Sequence, residues 1–479
     1  MNIMMISGEA NPFVKTGGLA DVVYSLSQSL ASKGHDVSIV LPFYKKIKDK
    51  LQYEAELVST FPVYMSWRVQ YCGVFKYHYE GISYYFIDNE QYFYRDGLYG
   101  FDDDTERFAY FDLAVVELIA HLNLKLDIIH VHDWQAGMIP LLLKTDYRLK
   151  VNDYEPKFVL TIHNPAFQGK FDPYYLGDYF NLSQSYYDNG TVRFDNCASF
   201  LKSAIVMCYK ITTVSPPHAR ELLEGNHAYG LETIIRLREH DFVGILNGID
   251  YEEFNPETDK YISPNYNIDT AYKAKRENKE DICKEYGFKD PSLPLFGVVS
   301  RLTSQKGIAL ILDIVPILSG RANVIILGCG QRELEDRATF LSRCYSENVG
   351  VSLSYNNPLA HKIYAASDFF LMPSEFEPCG ISQMICHRYG TLPIVRHTGG
   401  LIDTVNGYDN KNLEFADGFH FEEYSVQALI HPCFTALEVY RDIEKYLVMQ
   451  ENAMRREHTW DNSSEEYLNL YRDITGKAN

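Results

Sequence analysis

The chain has 479 residues, 46% hydrophobic and 23% charged, values that exclude a largely disordered chain and leave apolar material for more than one core. Its 45 Lys and Arg against 64 Asp and Glu give a formal charge of −19, which disfavours nucleic acid and anionic membranes as general partners. No apolar run reaches the roughly 18 residues of a membrane span. The N-terminal MNIMMISGEANPF has no basic stretch of the kind that precedes a signal-peptide core, and the nine scattered Cys include no CxxC pair. These features are those of reduced thiols in a bacterial cytoplasm.

Short apolar runs alternate with helical patterns along the chain. Strands are predicted at 3–6, 37–41, 128–131, 158–162 and 211–214, and a second set at 295–299, 324–327, 351–354, 369–372 and 392–395. Helices are predicted at 20–33, 106–121, 308–318 and 359–367. Such alternation predicts parallel sheets covered on both faces, an α/β chain of two doubly wound, Rossmann-like domains. The stretch 64–87 reads differently, as an aromatic-rich antiparallel hairpin around Glu80-Gly81 inserted in the first domain. A polar stretch at 251–290 places the domain connection near 246–250. The expected division is an N-terminal domain over 1–245, a C-terminal domain over 246–455, and a helix over 456–479 that packs back on the first. Ligands of such sheets bind outside the carboxyl ends of the strands, so an inter-domain cleft is the expected site.

Several loops follow those strand ends. Lys15-Thr16-Gly17-Gly18 leads through Leu19-Ala20 to Asp21 at the start of the first helix. Its glycines permit close backbone approach and its helix N-terminus suits phosphate, though a tight turn with a solvated lysine has the same pattern. Arg301 and Lys306 follow the first strand of the second domain and are expected to converge on one anion. Glu377-Pro378-Cys379-Gly380 aims a carboxylate and backbone amides at the same place, and Thr398-Gly399-Gly400 is a weaker amide donor to phosphate. His130, His132 and Asp133 close one strand, and His163-Asn164 another. No Cys or carboxylate at a supporting spacing accompanies them, so a metal site is not expected, and His163 is expected to orient a substrate. Asp102-Asp103-Asp104 reads as an acidic first helical turn rather than a divalent-ion motif.

Taken together, these loops resemble those of bacterial glycogen synthases and plant starch synthases. The matching runs are KTGGLADV from Lys15, HVHDW from His130, THN from Thr161, TTVSP from Thr212, GILNGID from Gly244, SRLTSQKG from Ser300, FLMPSEFEPCGISQM from Phe370, RYGTLPIVRHTGGLIDTV from Arg388 and DGFHF from Asp417. The resemblance spans nearly the whole chain and implies the GT-B architecture and transfer of glucose from ADP-glucose to the non-reducing 4-hydroxyl of an α-1,4-glucan, with retention and without a cofactor or metal. Carried over by position, it implies that Lys15, Gly17, Gly18 and Asp21 meet the donor diphosphate and acceptor side. Arg301 and Lys306 would neutralise the leaving diphosphate, and His163 and Asn247 would contact the donor glucose. Tyr355 would stack on adenine, Glu377 with Cys379 and Gly380 would hold the glucose, Thr398 and Gly399 would lie at the phosphates, and Asp133 would act near the acceptor.

The chain departs from the family pattern at four places. Glu375 stands where the family has Arg, putting a second carboxylate near Glu377. The turn after 324–327 reads Gly328-Cys329-Gly330-Gln331, the usual Lys-Gly-Gly is Lys202-Ser203-Ala204, and the C-terminal Phe-Ser-Trp is His458-Thr459-Trp460. Glu375 motivates two other readings, a related transferase using UDP-glucose or a small acceptor, and a non-catalytic glucan-binding homologue. The oligomeric state is left open.

Overall fold

A computed structural model of the chain describes residues 1–146, 155–354 and 356–477. Two compact units emerge, one formed by Met1–Leu246 with Trp460–Asn479 and the other by Asn247–Thr459.

The first unit is built on a nine-stranded sheet in the order Phe242–Gly244, Lys210–Thr213, Lys157–Ile162, Ile128–His132, Asn2–Ile6, Asp36–Pro42, Ile82–Asp88, Arg68–Tyr79, Glu56–Met65. Its inner strands are almost continuously apolar and fully buried, as parallel strands covered on both faces must be. The expected antiparallel hairpin around Glu80-Gly81 is present as Arg68–Tyr79 and Ile82–Asp88, and it is continuous with the main sheet. Ile82–Asp88 runs parallel to Asp36–Pro42 and joins the main sheet, while Arg68–Tyr79 pairs antiparallel with both neighbours. A third strand, Glu56–Met65, forms the edge; alternating burial from Phe61 to Met65 marks it as a half-exposed strand. A small sheet of Lys170–Phe171, Arg193–Phe194 and Cys197–Ser199 has strands too short for a periodicity signal.

The second unit carries a parallel six-stranded sheet in the order Val349–Ser352, Asn323–Leu327, Leu295–Val299, Phe369–Met372, Leu392–Arg396, Phe419–Phe421. Helix starts follow local chemistry. Ser215 accepts a hydrogen bond from the His218 amide ahead of Pro216–Glu224, and Asn356 accepts one from the Leu359 amide ahead of Asn357–Ala366.

The C-terminal helix Trp460–Thr475 belongs to the first unit and packs against Gly18–Ser32. Tyr467, Leu468 and Tyr471 are buried, and the Ser29 and Ser464 hydroxyls meet at 2.8 Å. The Tyr471 hydroxyl lies 2.7 Å from His130 Nδ1, and His130 Nε2 lies 2.7 Å from Thr161 Oγ1. Thr161 continues to Thr212 Oγ1 at 2.6 Å, and Thr212 donates to the Leu160 carbonyl. Every ring nitrogen of His130 is therefore satisfied inside the protein. Y471F removes the partner of a buried nitrogen and is expected to destabilise the chain by about 1–3 kcal/mol in urea denaturation. Y467F, whose hydroxyl is only 3.5 Å from Thr161, is expected to cost less.

Candidate active site

In the first unit, Asn2–Ile6, Ile128–His132 and Lys157–Ile162 are adjacent and parallel, so their carboxyl ends lie side by side. Glu9, Asp133 and His163-Asn164 leave from those ends. Asp133 sits at φ 55°, ψ −163° with its amide on the Thr161 carbonyl. That conformation is strained for a non-glycine residue. It turns the side chain so that Oδ1 accepts from the His163 amide at 2.7 Å and the Asn164 amide at 3.3 Å. Burial pushes the Asp133 carboxyl up to about 7, with the nearby Glu9 adding to the rise and the two amides opposing it. Burial also drives His163 down to about 3, so its imidazole is neutral at working pH.

Glu9 was not among the residues expected to act, yet it is buried beside this cluster and accepts from both the amide and the hydroxyl of Thr16. Its position one residue beyond the Ser7-Gly8 strand end was the available signal. Burial raises its carboxyl to about 7, the Thr16 bonds oppose the rise, and Asp21 adds to it. The Tyr99 hydroxyl and Gln135 Oε1 are buried without a hydrogen-bond partner among the described residues, and the Tyr99 hydroxyl lies against Gly8. No sequence pattern pointed to either.

Lys15 Nζ lies 2.7 Å from Asp21 Oδ1, so the loop carries an ion pair rather than a lone cation. Asn11 donates to the same Asp21 oxygen. Gly17 caps Gly18–Ser32, and a methyl built on it would meet nothing within 4 Å. Packing within the chain therefore does not require glycine there; the open space lies over the first turn of a helix, where amides face outward.

In the second unit the loops after Leu295–Val299, Phe369–Met372 and Leu392–Arg396 are neighbours, because those strands are neighbours in the sheet. Lys306 is ion-paired within its own unit. Its Nζ is 2.8 and 2.6 Å from the two oxygens of Glu377, which also accepts from Ser374 Oγ at 2.9 Å. Arg301 is exposed, with no ion pair among the described residues. Glu375 and Glu377 do not share an environment: the Glu377 side chain is 7% exposed on Lys306, whereas Glu375 faces solvent. The Glu375 carbonyl accepts from Arg396 Nη1 at 2.5 Å.

Asn247 and Cys379 meet through hydrogen bonds that oppose the burial pushing the Cys379 thiol up to about 12. Asn247 Oδ1 is buried with no partner among the described residues. Thr398 does not offer its amide outward; that amide donates to the Arg396 carbonyl. Gly399 has φ +49°, and a Cβ there would fall 1.9 Å from the Glu377 carbonyl oxygen, so only glycine lets this turn lie on the Glu377 loop. Tyr355 lies outside the described residues. Asp103 and Asp104 bind Arg95 and Arg107 and serve the local fold.

A family model described as the starch synthase catalytic domain matches residues 2–237, and one described as glycosyl transferases group 1 matches residues 279–456. A glycogen synthase of Clostridium botulinum is 43% identical over 478 residues, covering 99% of this chain and 100% of that protein. The glycogen synthase of Lactobacillus acidophilus is 41% identical over 481 residues, with 99% and 100% coverage. The chain belongs to the glycogen synthase family. The catalytic domain of starch synthase IV from Arabidopsis thaliana, solved with ADP and acarbose, matches the structure with a TM-score of 0.92, 32% identity and 99% coverage of each chain. The two units are thus the domains of a GT-B glycosyltransferase, and the protein is a glucosyltransferase of glycogen synthesis. Among the described residues, no helix is long and apolar enough to cross a membrane.

Two outcomes follow from the geometry. Removing Lys306 leaves the buried Glu377 side chain with the Ser374 hydroxyl but without its cation, so K306A is expected to lose about 3 kcal/mol of stability, and adding E377Q to recover part of it, in urea denaturation. Folded Glu9 holds its proton to higher pH than the unfolded chain, so its contribution is full below about pH 4.5 and is lost as pH rises through about 7. E9Q, which has no such proton, is expected to gain stability relative to wild type between pH 5 and pH 8, by up to about 3 kcal/mol.

Proposed function

We propose that this glycogen synthase homologue takes glucose from ADP-glucose and transfers it, with retention of the α configuration, to the non-reducing 4-hydroxyl of an α-1,4-glucan in the cytoplasm. The observation that carries this reading is the grouping of Arg301, Lys306 and Glu377 on loops at the carboxyl ends of neighbouring strands in the second unit. The relative bound to ADP is similar over the full length, which supports an adenine nucleotide as the donor's leaving group.

In this reading the Arg301 guanidinium and the Lys306 ammonium oppose the negative charge that grows on the diphosphate as the glycosidic bond breaks. Glu377, already held by Lys306 and Ser374, faces the positive charge that develops at the anomeric carbon. Asn247, His163 and the backbone at Cys379 and Gly380 hold the glucose, Tyr355 stacks on adenine, and the Thr398-Gly399 turn supports the Glu377 loop beside the phosphates. Lys15, Gly17, Gly18 and Asp21 lie on the acceptor and diphosphate side, with the Lys15–Asp21 pair opening when the anion enters. Asp133 and Glu9 accept hydroxyls of the acceptor sugar. The acceptor attacks from the face that ADP leaves, and water is kept from the same carbon by the filled site.

ADP release from ADP-glucose in the presence of glycogen tests this directly. Release that depends on glycogen and falls by about 10²–10³-fold in E377A is the expected result. Faster release from UDP-glucose would change the donor. Release from neither donor, with glycogen still bound, would make the chain a glucan-binding homologue.

A further inference from the structure

His132 is buried, and neither the metal reading nor the family resemblance gives it a role of its own. It lies between two other imidazoles, stacked on His130 at 4.3 Å between ring centroids and hydrogen bonded through Nδ1 to His163 Nε2 at 3.0 Å. Its Nε2 is buried with no hydrogen-bond partner among the described residues.

This geometry decides where the protons are. If His163 Nε2 donated to His132, the neutral His132 ring would carry its proton on Nε2, as a buried N–H with no acceptor. If His132 Nδ1 donates to His163 instead, only a lone pair is left unmet. Orphaned buried N–H groups are the rarer outcome, because nothing replaces the hydrogen bond to water. The second arrangement puts the proton of His163 on Nδ1. The neighbouring Asp133 holds the backbone of the same residue through its amide at 2.7 Å. Two consecutive residues at one strand end thus hold His163, one by its ring and one by its main chain.

We infer that His132 is a positioning residue that locks His163 in the Nδ1–H tautomer, so that His163 meets substrate only as a hydrogen-bond donor and selects an accepting oxygen. This rests on the reading above that His163 faces the donor sugar. A ring whose other nitrogen is fixed by a second group is the usual means of setting a histidine's tautomer.

The test has two arms. Ring-nitrogen shifts of 15N-histidine-labelled full-length protein, with His163 assigned through H163Q, should show Nδ1 protonated and Nε2 bare in wild type, and an altered tautomer in H132F. Protonated Nε2 on His163 in wild type would overturn the assignment, whatever the enzyme's donor. In ADP-glucose turnover, H132F should lower kcat/KM by about 10–100-fold, the range of one lost hydrogen bond at a charged or reacting group. H132N, whose amide can stand in for the Nδ1–H donor, should recover most of it at similar thermal stability. In an H163A background, H132F should add no further loss. An equal loss in that background, or no rescue by H132N with the fold intact, would make His132 a packing residue only. Absence of turnover in wild type would sink the proposed donor while leaving the tautomer arm to decide the role of His132.

Discussion

A carboxylate taken out of water must recover its lost hydration from amides, hydroxyls or a cation, and three carboxylates at strand ends meet that requirement in three ways. Asp133 takes two main-chain amides, Glu9 takes the amide and hydroxyl of Thr16, and Glu377 takes Lys306 and Ser374. The consequences differ. Amides orient a loop, which is how Asp133 places His163 and Asn164. An ammonium supplies an opposite charge, which is how Lys306 and the Ser374 hydroxyl hold the buried Glu377 side chain on its loop. Glu9 and Asp133, with no cation partner among the described residues, both rise to about 7 and each raises or is raised by a neighbouring acid. The acid-rich side of the first unit and the cation-bearing side of the second are therefore electrostatically distinct by construction.

The C-terminal helix joins the same system from below. Its tyrosines close the polar chain through His130, Thr161 and Thr212, which crosses three adjacent strands of the first unit. Because His130 stacks on His132, and His132 bonds to His163, the packing of the last helix and the placement of a candidate substrate ligand draw on contiguous side chains. Such networks are stiff when every member is satisfied. Here one nitrogen, His132 Nε2, is not, and that exception fixes the direction of the bond above it.

Two departures from the family pattern acquire physical meaning. Glu375 lies next to Glu377 in sequence terms but points to solvent, so a charge opposite to the family's need not load the buried carboxylate. His458 is buried on His387, 2.9 Å between ring nitrogens, and its main chain receives the Ile249 amide. An imidazole there replaces a phenyl ring by a flat group of similar size that also finds a polar partner.

The α/β class, the parallel strands and the glycine-rich turns were legible in the sequence because apolar runs of strand length and helical periodicity are local signals. The candidate residues Lys15, Arg301, Lys306 and Glu377 were legible because they sit in loops directly after such runs. The sequence did not disclose that Lys306 binds Glu377 or that Lys15 binds Asp21, since pairing depends on which loops the sheet order makes neighbours. Nor did it disclose Glu9, Tyr99 and Gln135 beside Asp133, which come together from separate loops. The outer strand Glu56–Met65 escaped because an edge strand with one wet face carries weak hydrophobicity. What the sequence determined by itself is the kind of residue available at each strand end. Strand order, burial and the directions of hydrogen bonds, which only the tertiary structure sets, decided which of those residues are charged, which are paired and which nitrogen of a histidine carries its proton.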